Sequence, residues 1–395
     1  MSNESLDRFA NSKLDRLTAQ GLRRSVVDTH RTDAVHLRRG GRDLVSFCCN
    51  DYLGLTHHPA VKAAAAAAVE EYGAGAGASR LITGNHQLYA ILERKLAAFK
   101  GTEAACVFGS GYMANTGIVP ALAGDGDLVV LDELGHASMH MGARASGAEI
   151  RTFRHNDAVD LFRILAAERD RFANCLVLTE GVFSMDGDRA PLDKLAAVAA
   201  DRDAWLMVDD AHGFGVLGGG RGSAWEFHPA PYIPLQMGTL SKAAGVYGAF
   251  LCASAPVVEL MKNRARSLVY TTGLPPAVVA AGIAAVDIIA TDASRVSRPL
   301  RHARAFCDAV GIAAPQSPIV PMIVGDEKAA LDASAALEAC GFLVMPIRPP
   351  TVPAGTSRLR FTFAAEHTDD QITALAGAVN DLVVTEAAKI QPTKA

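Results

Sequence analysis

Short apolar runs alternate with helix-forming stretches along most of this chain, and this alternation constrains the fold more than any other feature. The apolar runs have the length of β-strands and are almost free of polar residues, as in ACVF, LVVLD and CLVL. Such strands are typical of a sheet buried on both faces, whereas strands with one solvated face alternate apolar and polar residues. The pattern predicts an α/β fold with a largely parallel central sheet. The predicted strands are 105–111, 128–132, 149–153, 175–181, 205–213, 234–239 and 249–254.

The alanine run after Pro59, VKAAAAAAVEEY, is interpreted as a structural helix. Proline fits the first position of a helix, and alanine has the highest helix propensity. Comparable stretches, such as HQLYAILERKLAAF and PLDKLAAVAADR, separate the later strands.

The pattern of charged, apolar and helix-forming residues changes twice along the chain, which predicts three regions. Residues 1–50 mix nine basic with six acidic side chains, a pattern that favours an amphipathic helix with a solvated face over a nucleic-acid-binding arm. Residues 51–290 contain the alternating pattern and are predicted to form the large domain. Residues 291–395 contain shorter apolar runs and two helical stretches, which predict a smaller C-terminal α+β domain.

The composition narrows the class of protein. Half of the 395 residues are hydrophobic, so a large core is available, and the net charge of -4 argues against nucleic-acid or anionic-membrane binding. No apolar leader opens the chain, and the longest apolar stretch, 277–286, is too short to cross a bilayer. The seven cysteines are scattered and form no CxxC motif. We expect a soluble cytoplasmic protein.

Polar or glycine-rich segments follow several predicted strands: GSGYMAN, DELGHAS, TEGVFSMDGD, DDAHGFG and GTLSKAAG. Ligands of parallel α/β sheets bind beyond the carboxyl ends of the strands. These segments are therefore expected to converge on one site.

Lys242 and Asp209 are the first candidates for chemistry in these segments. A lysine flanked by small residues can be desolvated and act as an amine nucleophile, although a surface lysine fits the same pattern. Thr239 and Ser241 beside it suit an anion such as phosphate. Asp209 could hold a cationic ring nitrogen or a metal, or cap a helix.

His136 and the turn before Gly111 are the next candidates. His136 and His140 share the spacing of a zinc site, but no glutamate follows His136 as in HExxH, so a ring stacked on a planar cofactor is favoured. The glycines around Ser110 allow backbone amides to approach a phosphate at the next helix. Arg348, in a proline-rich loop, could bind a substrate carboxylate through its guanidinium or be an ordinary surface arginine. Together these groups suit pyridoxal 5'-phosphate (PLP), which needs an amine, an acid and an anion site.

The chain resembles the α-oxoamine synthase family of fold-type I PLP-dependent transferases. The matching segments run from Leu22 to Phe363 and include NDYLGLTHHP, GAGASRLITGNH, RHND, YTTGLPP and IRPPTVPAGTSRLR. The resemblance implies that Lys242 carries the cofactor, Asp209 pairs with its ring nitrogen and His136 stacks on the ring; these three are the implied catalytic residues. The other implied cofactor ligands are Gly111, Tyr112, Ser184, His212, Thr239, Thr271 and Thr272, the last two from a partner subunit. The implied substrate ligands are Arg23, Asn50, His136, Arg348 and Thr351.

The resemblance also implies a reaction and an assembly. The most similar members condense L-alanine with a pimeloyl thioester of CoA or acyl-carrier protein, lose CO2, and act as homodimers with shared active sites. Glycine acetyl transfer, serine palmitoyl transfer and simple cofactor binding remain alternatives. Cys48, Cys49 and Ser241 depart from the usual family pattern without removing a catalytic group.

Overall fold

A computed structural model describes residues 4–20 and 22–390 of the chain. Its helices are α1 (Glu4–Ala19), α2 (Pro59–Tyr72), α3 (Gln87–Lys100), α4 (Gly111–Leu122), α5 (Ala137–Ser146), α6 (Ala158–Glu168), α7 (Leu192–Asp201), α8 (Ala255–Arg264), α9 (Arg266–Val269), α10 (Pro276–Thr291), α11 (Ala293–Val310), α12 (Glu327–Ala339) and α13 (Asp369–Ile390). Its strands are β1 (Thr29–Arg31), β2 (His36–Arg39), β3 (Arg42–Ser46), β4 (Ala104–Phe108), β5 (Leu128–Asp132), β6 (Glu149–Phe153), β7 (Cys175–Glu180), β8 (Trp205–Asp209), β9 (Leu235–Thr239), β10 (Ala249–Ala253), β11 (Ile319–Gly325), β12 (Phe342–Leu343), β13 (Met345–Ile347) and β14 (Ser357–Thr362).

The central sheet has the order β4-β10-β9-β8-β7-β5-β6. Strands β9, β8, β7, β5 and β6 are mutually parallel, and β10 runs antiparallel to both of its neighbours. The predicted α/β fold with a largely parallel sheet is confirmed, and each of the seven predicted strands is present.

Both faces of this sheet are covered by helices, which explains the uninterrupted apolar strands. Successive residues of β5 enter different core clusters: Leu128 and Val130 pack with α6 and α7, whereas Val129 and Leu131 pack with α4, α5 and α8. A strand buried on both faces needs apolar side chains at every position.

The predicted helix after Pro59 is confirmed as α2. Pro59 occupies the first turn, and the side chain of His58 caps the helix by accepting from the amide of Ala60. The helix ends at Gly73, whose φ of 83° is readily adopted only by glycine.

The N-terminal strands join the C-terminal region. Strands β1, β2 and β3 form a four-stranded sheet with β12, in which β3 and β12 are parallel. A separate sheet has the order β11-β14-β13. The predicted amphipathic helix is α1, which has no buried residue. The division into regions 1–50, 51–290 and 291–395 stays a prediction.

Within the described residues, no single helix is long and apolar enough to cross a membrane. Helices α10 and α11 meet that test only as a pair, and they are bent by 78°.

Candidate active site

Lys242 lies in the loop that follows β9, and its amine faces a histidine. The Lys242 Nζ is 2.7 Å from Nε2 of His212, and Nδ1 of the same ring is 2.6 Å from the hydroxyl of Tyr52. The ammonium form of the lysine can only donate, so Nε2 accepts from it and the ring proton lies on Nδ1, which donates to the tyrosine oxygen. Burial, together with the charge of Lys242, lowers the pKa of His212 well below its ordinary value. The ring of His212 is therefore neutral.

The pKa of Lys242 is low for a lysine. Burial lowers it from 10.5 to about 8, although the negative charge of Asp209 opposes this shift. An amine with such a pKa is partly unprotonated near neutral pH and can act as a nucleophile or a base. The geometry therefore favours the chemical interpretation of Lys242 over a solvated surface lysine.

Asp209 ends β8 and is buried, with defined donors on both oxygens. Its Oδ1 accepts from the amide of Ala211 at 3.1 Å, and its Oδ2 accepts from Nδ2 of Asn115 at 2.8 Å. These two hydrogen bonds hold the carboxylate in place and leave lone pairs for a cationic partner.

A second buried carboxyl group stands beside Asp209. Glu180 ends β7, where it pairs in register with Asp209 across the sheet. Burial and the charge of Asp209 raise the pKa of Glu180 well above its ordinary value, which favours its neutral form. Sequence reasoning missed this residue although it lies in the TEGVFSMDGD segment.

His136 is the residue that caps α5. Its Nδ1 lies 2.7 Å from Oγ of Ser138 and accepts from the Ser138 amide at 3.3 Å. Burial and the charge of Lys242 lower the pKa of His136 while Asp209 opposes them, so burial decides the outcome. A neutral ring at this position can stack on a planar ligand. Among the described residues, no group of three His, Cys, Asp or Glu side chains could hold a metal ion.

The start of α4 and the end of β9 form a cradle for an anion. Ser110 caps α4 by accepting from the amide of Met113 at 3.2 Å. The amides that precede Met113 in the first turn have no partner within the helix. A Cβ at Gly111 would lie 4.0 Å from Oγ1 of Thr239, so the start of α4 lies beside the hydroxyl groups of Thr239 and Ser241, which are 2.7 Å apart. The Thr239 hydroxyl also donates to the carbonyl of Gly248 at 2.8 Å. Tyr112 follows and is 49% exposed. Helix amides and hydroxyl groups are the donors that phosphate needs.

Arg360 is a site residue that sequence reasoning missed. It lies on β14 but is buried, and its Nε donates to the carbonyl of Ser184. Its Nη1 is 3.3 Å from Oδ1 of Asn50. Its charge lowers the pKa of both Lys242 and His212, as expected for a guanidinium close to them. The structure therefore brings Ser184 and Asn50 together with the lysine.

The remaining predicted substrate ligands lie in a second group. Arg23, Arg348 and Thr351 line a cavity of about 630 Å³, whose lining does not include Lys242. In the same cavity, Nη2 of Arg24 donates to Oγ1 of Thr351 at 3.1 Å. The structure brings these three residues to one another but not to the lysine.

Thr271 and Thr272 pack against a neighbouring loop of their own chain. Thr272 forms a β-bridge with Ser79, and the amide of Gly273 donates to the carbonyl of Ala78 at 2.9 Å. Their predicted contact with a cofactor across a subunit interface stays a prediction.

The grouped side chains fit PLP. An amine with a lowered pKa, a hydrogen-bonded buried carboxylate, a neutral flat ring and an anion cradle occupy neighbouring strand ends. These are the groups needed for an aldehyde, a pyridinium nitrogen, a ring face and a phosphate.

Comparison with known proteins agrees with this chemistry. Residues 42–379 match the family model of aminotransferase class I and II. The chain therefore belongs to the aminotransferase class I and II family, and its cofactor is pyridoxal 5'-phosphate.

The most informative relatives carry a more particular description. The chain is 60% identical to an 8-amino-7-oxononanoate synthase from Methylocella silvestris over 88% of this chain and 99% of that protein. It is 55% identical to another from Beijerinckia indica subsp. indica, over 97% and 99% of the two chains. Among solved structures, a serine palmitoyltransferase with the PLP internal aldimine matches with a TM-score of 0.91 and 32% identity, over 98% and 100% of the chains. An 8-amino-7-oxononanoate synthase from Francisella tularensis matches with a TM-score of 0.74 and 28% identity, over 87% and 99%.

Proposed function

We propose that this chain condenses L-alanine with a pimeloyl thioester to give 8-amino-7-oxononanoate, CO2 and a free thiol, a step of biotin biosynthesis. The observation that carries the proposal is the identity of 55–60% with 8-amino-7-oxononanoate synthases over nearly their full lengths. It agrees with a site that offers an amine base beside a buried carboxylate.

Bound PLP supplies an electrophilic carbon for the amino group of alanine and a ring that withdraws electrons from the alanine Cα. The chain must then move a proton at that carbon. Lys242 is the group to do so, because its pKa of about 8 lets the amine accept the Cα proton near neutral pH and return it after CO2 has left.

Asp209 and His136 hold the ring in this proposal. Asp209 carries two donated hydrogen bonds and offers its free lone pairs to a protonated ring nitrogen. Partial burial lowers the pKa of His136, so its neutral ring covers the ring face without adding a charge that would repel the pyridinium. Gly111, Tyr112 and Thr239 are assigned to the phosphate, and His212 and Ser184 to the phenolic oxygen.

Arginines at two places in the structure can bind the two carboxylates of the substrates. Arg360 lies close to Lys242 and suits the carboxylate of alanine, a role for which Arg348 was the candidate from the sequence. Arg348, Arg23 and Thr351 line the separate cavity of about 630 Å³, and we assign this basic surface to the acyl donor. Asn50 stands beside Arg360 and completes the alanine side of the site.

A homodimer with shared active sites is part of the same proposal. Leu81 and Ile82 are 59% and 76% exposed, and Tyr270, which precedes the bridge between Thr272 and Ser79, is 75% exposed. Four apolar side chains of α1 are exposed as well: Leu6, Phe9, Leu14 and Leu17. Such exposed apolar surface supports association with a second copy, which would bring the partner's threonines to the site.

A cytoplasmic location also belongs to the proposal. All seven cysteines are free thiols, and four of them are fully buried. Unpaired cysteines suit a reducing compartment.

An acyl-donor panel tests the proposed reaction against its alternatives. The PLP-loaded protein is given alanine, glycine or serine together with pimeloyl, acetyl or palmitoyl thioesters, and free thiol is followed, with Lys242→Ala as control. We expect the highest turnover with alanine and a pimeloyl donor. A maximum with serine and palmitoyl, which the similarity to serine palmitoyltransferase makes the second candidate, or with glycine and acetyl, would contradict the proposal.

A further inference from the structure

One buried amide connects the carboxylate and the histidine of the site. Asn115 lies in the second turn of α4 and is fully buried. Its Nδ2 donates to Oδ2 of Asp209 at 2.8 Å and to Oγ of Ser138 at 2.9 Å. A side-chain amide has two N–H donors, and both are used.

The direction of these hydrogen bonds fixes the orientation of the amide. A carboxylate only accepts, so Nδ2 and not Oδ1 must face Asp209. Oδ1 of Asn115 is buried and has no hydrogen-bond partner. The amide thus donates to both Asp209 and Ser138 while its own oxygen stays unsatisfied, which costs stability.

The second hydrogen bond extends to His136. Because Ser138 Oγ accepts from Asn115, its single hydrogen is free to be donated to Nδ1 of His136, which lies at 2.7 Å. The Ser138 amide donates to the same nitrogen. With Nδ1 used as an acceptor, the proton of the neutral ring must lie on Nε2.

The packing of α5 against α4 leaves little freedom at this point. A Cβ on Gly142 of α5 would lie 2.6 Å from the carbonyl oxygen of Asn115 and 3.2 Å from Cβ of Val119. The helix that His136 caps therefore approaches the backbone of Asn115 as closely as a glycine permits.

We propose that Asn115 is a positioning residue that holds Asp209 and, through Ser138, His136 in the orientation and protonation state required by the cofactor ring. The inference rests on the proposed roles of Asp209 and His136. One amide then sets the carboxylate at the edge of the ring and the imidazole on its face, so that both move together.

The test compares four variants of the full chain. Asn115→Leu keeps the size of the side chain and removes both donors. Ser138→Ala removes the hydroxyl group between Asn115 and His136 but keeps the Ser138 amide that donates to Nδ1. Because it deletes a single atom, it keeps the test available if Asn115→Leu does not fold. Asn115→Asp keeps the shape and adds a negative charge beside Asp209. Thr116→Val, one residue further along α4, is the control because its hydroxyl bonds only to the backbone of its own helix.

The readouts are the dissociation constant of PLP and the pH titration of the absorption spectrum of the bound cofactor, with thermal unfolding of the apoprotein as a check on folding. Loss of a hydrogen bond to a charged group predicts PLP binding weakened by roughly 10- to 100-fold in Asn115→Leu and at least as much in Asn115→Asp. Ser138→Ala should shift the spectral titration with a smaller change in affinity. Thr116→Val should match the wild type in both.

Wild-type affinity and an unchanged spectral titration in both Asn115→Leu and Ser138→Ala would overturn the inference. That outcome differs from a failure of the proposed function, in which the wild type itself would bind no PLP or would bind it without turning over any acyl donor.

Discussion

His155 provides the sharpest test of the electrostatics in this structure. Its Nδ1 lies 3.0 Å from Oδ1 of Asp132 at the end of β5, and its Nε2 lies 2.8 Å from Oδ2 of Asp188 in the loop that carries Ser184. Both ring nitrogens face carboxylates, so both must donate and the ring must be charged. Burial alone would lower the pKa of His155, but the two aspartates outweigh it and raise the pKa to about 10.

The raised pKa converts into a dependence of stability on pH with a defined sign. A histidine whose pKa is higher in the folded than in the unfolded protein stabilises the folded state. This stabilisation is complete at pH values below the unfolded pKa of 6.5, and it is lost as the pH rises through the folded pKa of about 10. Replacement by glutamine removes the titration. The difference in unfolding free energy between the wild type and His155→Gln should fall by roughly 2.5 kcal/mol between about pH 7.5 and about pH 9.5.

The assay is urea unfolding of the apoprotein at several pH values and one fixed protein concentration. His36→Gln is the matched control, because His36 pairs with Asp33 at 2.8 Å on the surface and such pairs contribute less than about 1 kcal/mol. A difference between the wild type and His155→Gln that stays constant over this pH range would show that the ring is not charged, and would refute the reasoning.

Three further predictions concern the site and its supports. The rate of covalent PLP loading on the apoprotein should rise with pH and level off above about pH 8, because the Lys242 amine must be unprotonated to react. Stopped-flow absorbance measures this rate. A rate that still rises at about pH 10 would contradict the lowered pKa of Lys242. Arg360→Lys should raise the KM for alanine by roughly 10-fold or more, since a lysine cannot bind a carboxylate bidentately, and an unchanged KM in steady-state kinetics would remove Arg360 from the alanine site. Gly187→Ala should destabilise the protein by about 2 kcal/mol or more, because Gly187 has a φ of +70° and its Cβ would lie 2.3 Å from the carbonyl oxygen of Ile319; a melting temperature equal to that of the wild type would disprove this strain.

The sequence predicted the parts of the fold that depend on local patterns. Strands such as β5 and β10 are almost wholly apolar because both faces of the sheet are covered there, and α2 begins at a proline, so both features could be found without coordinates. The strand ends that carry Lys242, Asp209 and His136 follow from the topology of a parallel sheet, in which polar segments after the strands meet at one edge.

The residues that the sequence did not reveal act through long-range contacts. Asn115 lies on an apolar helix, and nothing in the sequence distinguishes it from an ordinary polar residue. Its role appears only from the 2.8 Å distance between its Nδ2 and Oδ2 of Asp209. Arg360 lies on a strand far along the chain and reaches Ser184 only because β14 packs beside that loop. Glu180 ends a strand like many others, and only its register with Asp209 marks it. Such pairings depend on tertiary packing, which has no local sequence signal.

The central claim is a condensation that removes the carboxyl group of alanine, and isotope labelling tests it most directly. The PLP-loaded protein is given a pimeloyl thioester with alanine labelled with carbon-13 either at the carboxyl carbon or at Cα, and the products are identified by mass spectrometry. We predict that the carboxyl label leaves entirely as CO2 and that the Cα label is retained in 8-amino-7-oxononanoate. A product that keeps the carboxyl label, or labelled CO2 that forms equally well with Lys242→Ala, would contradict the account.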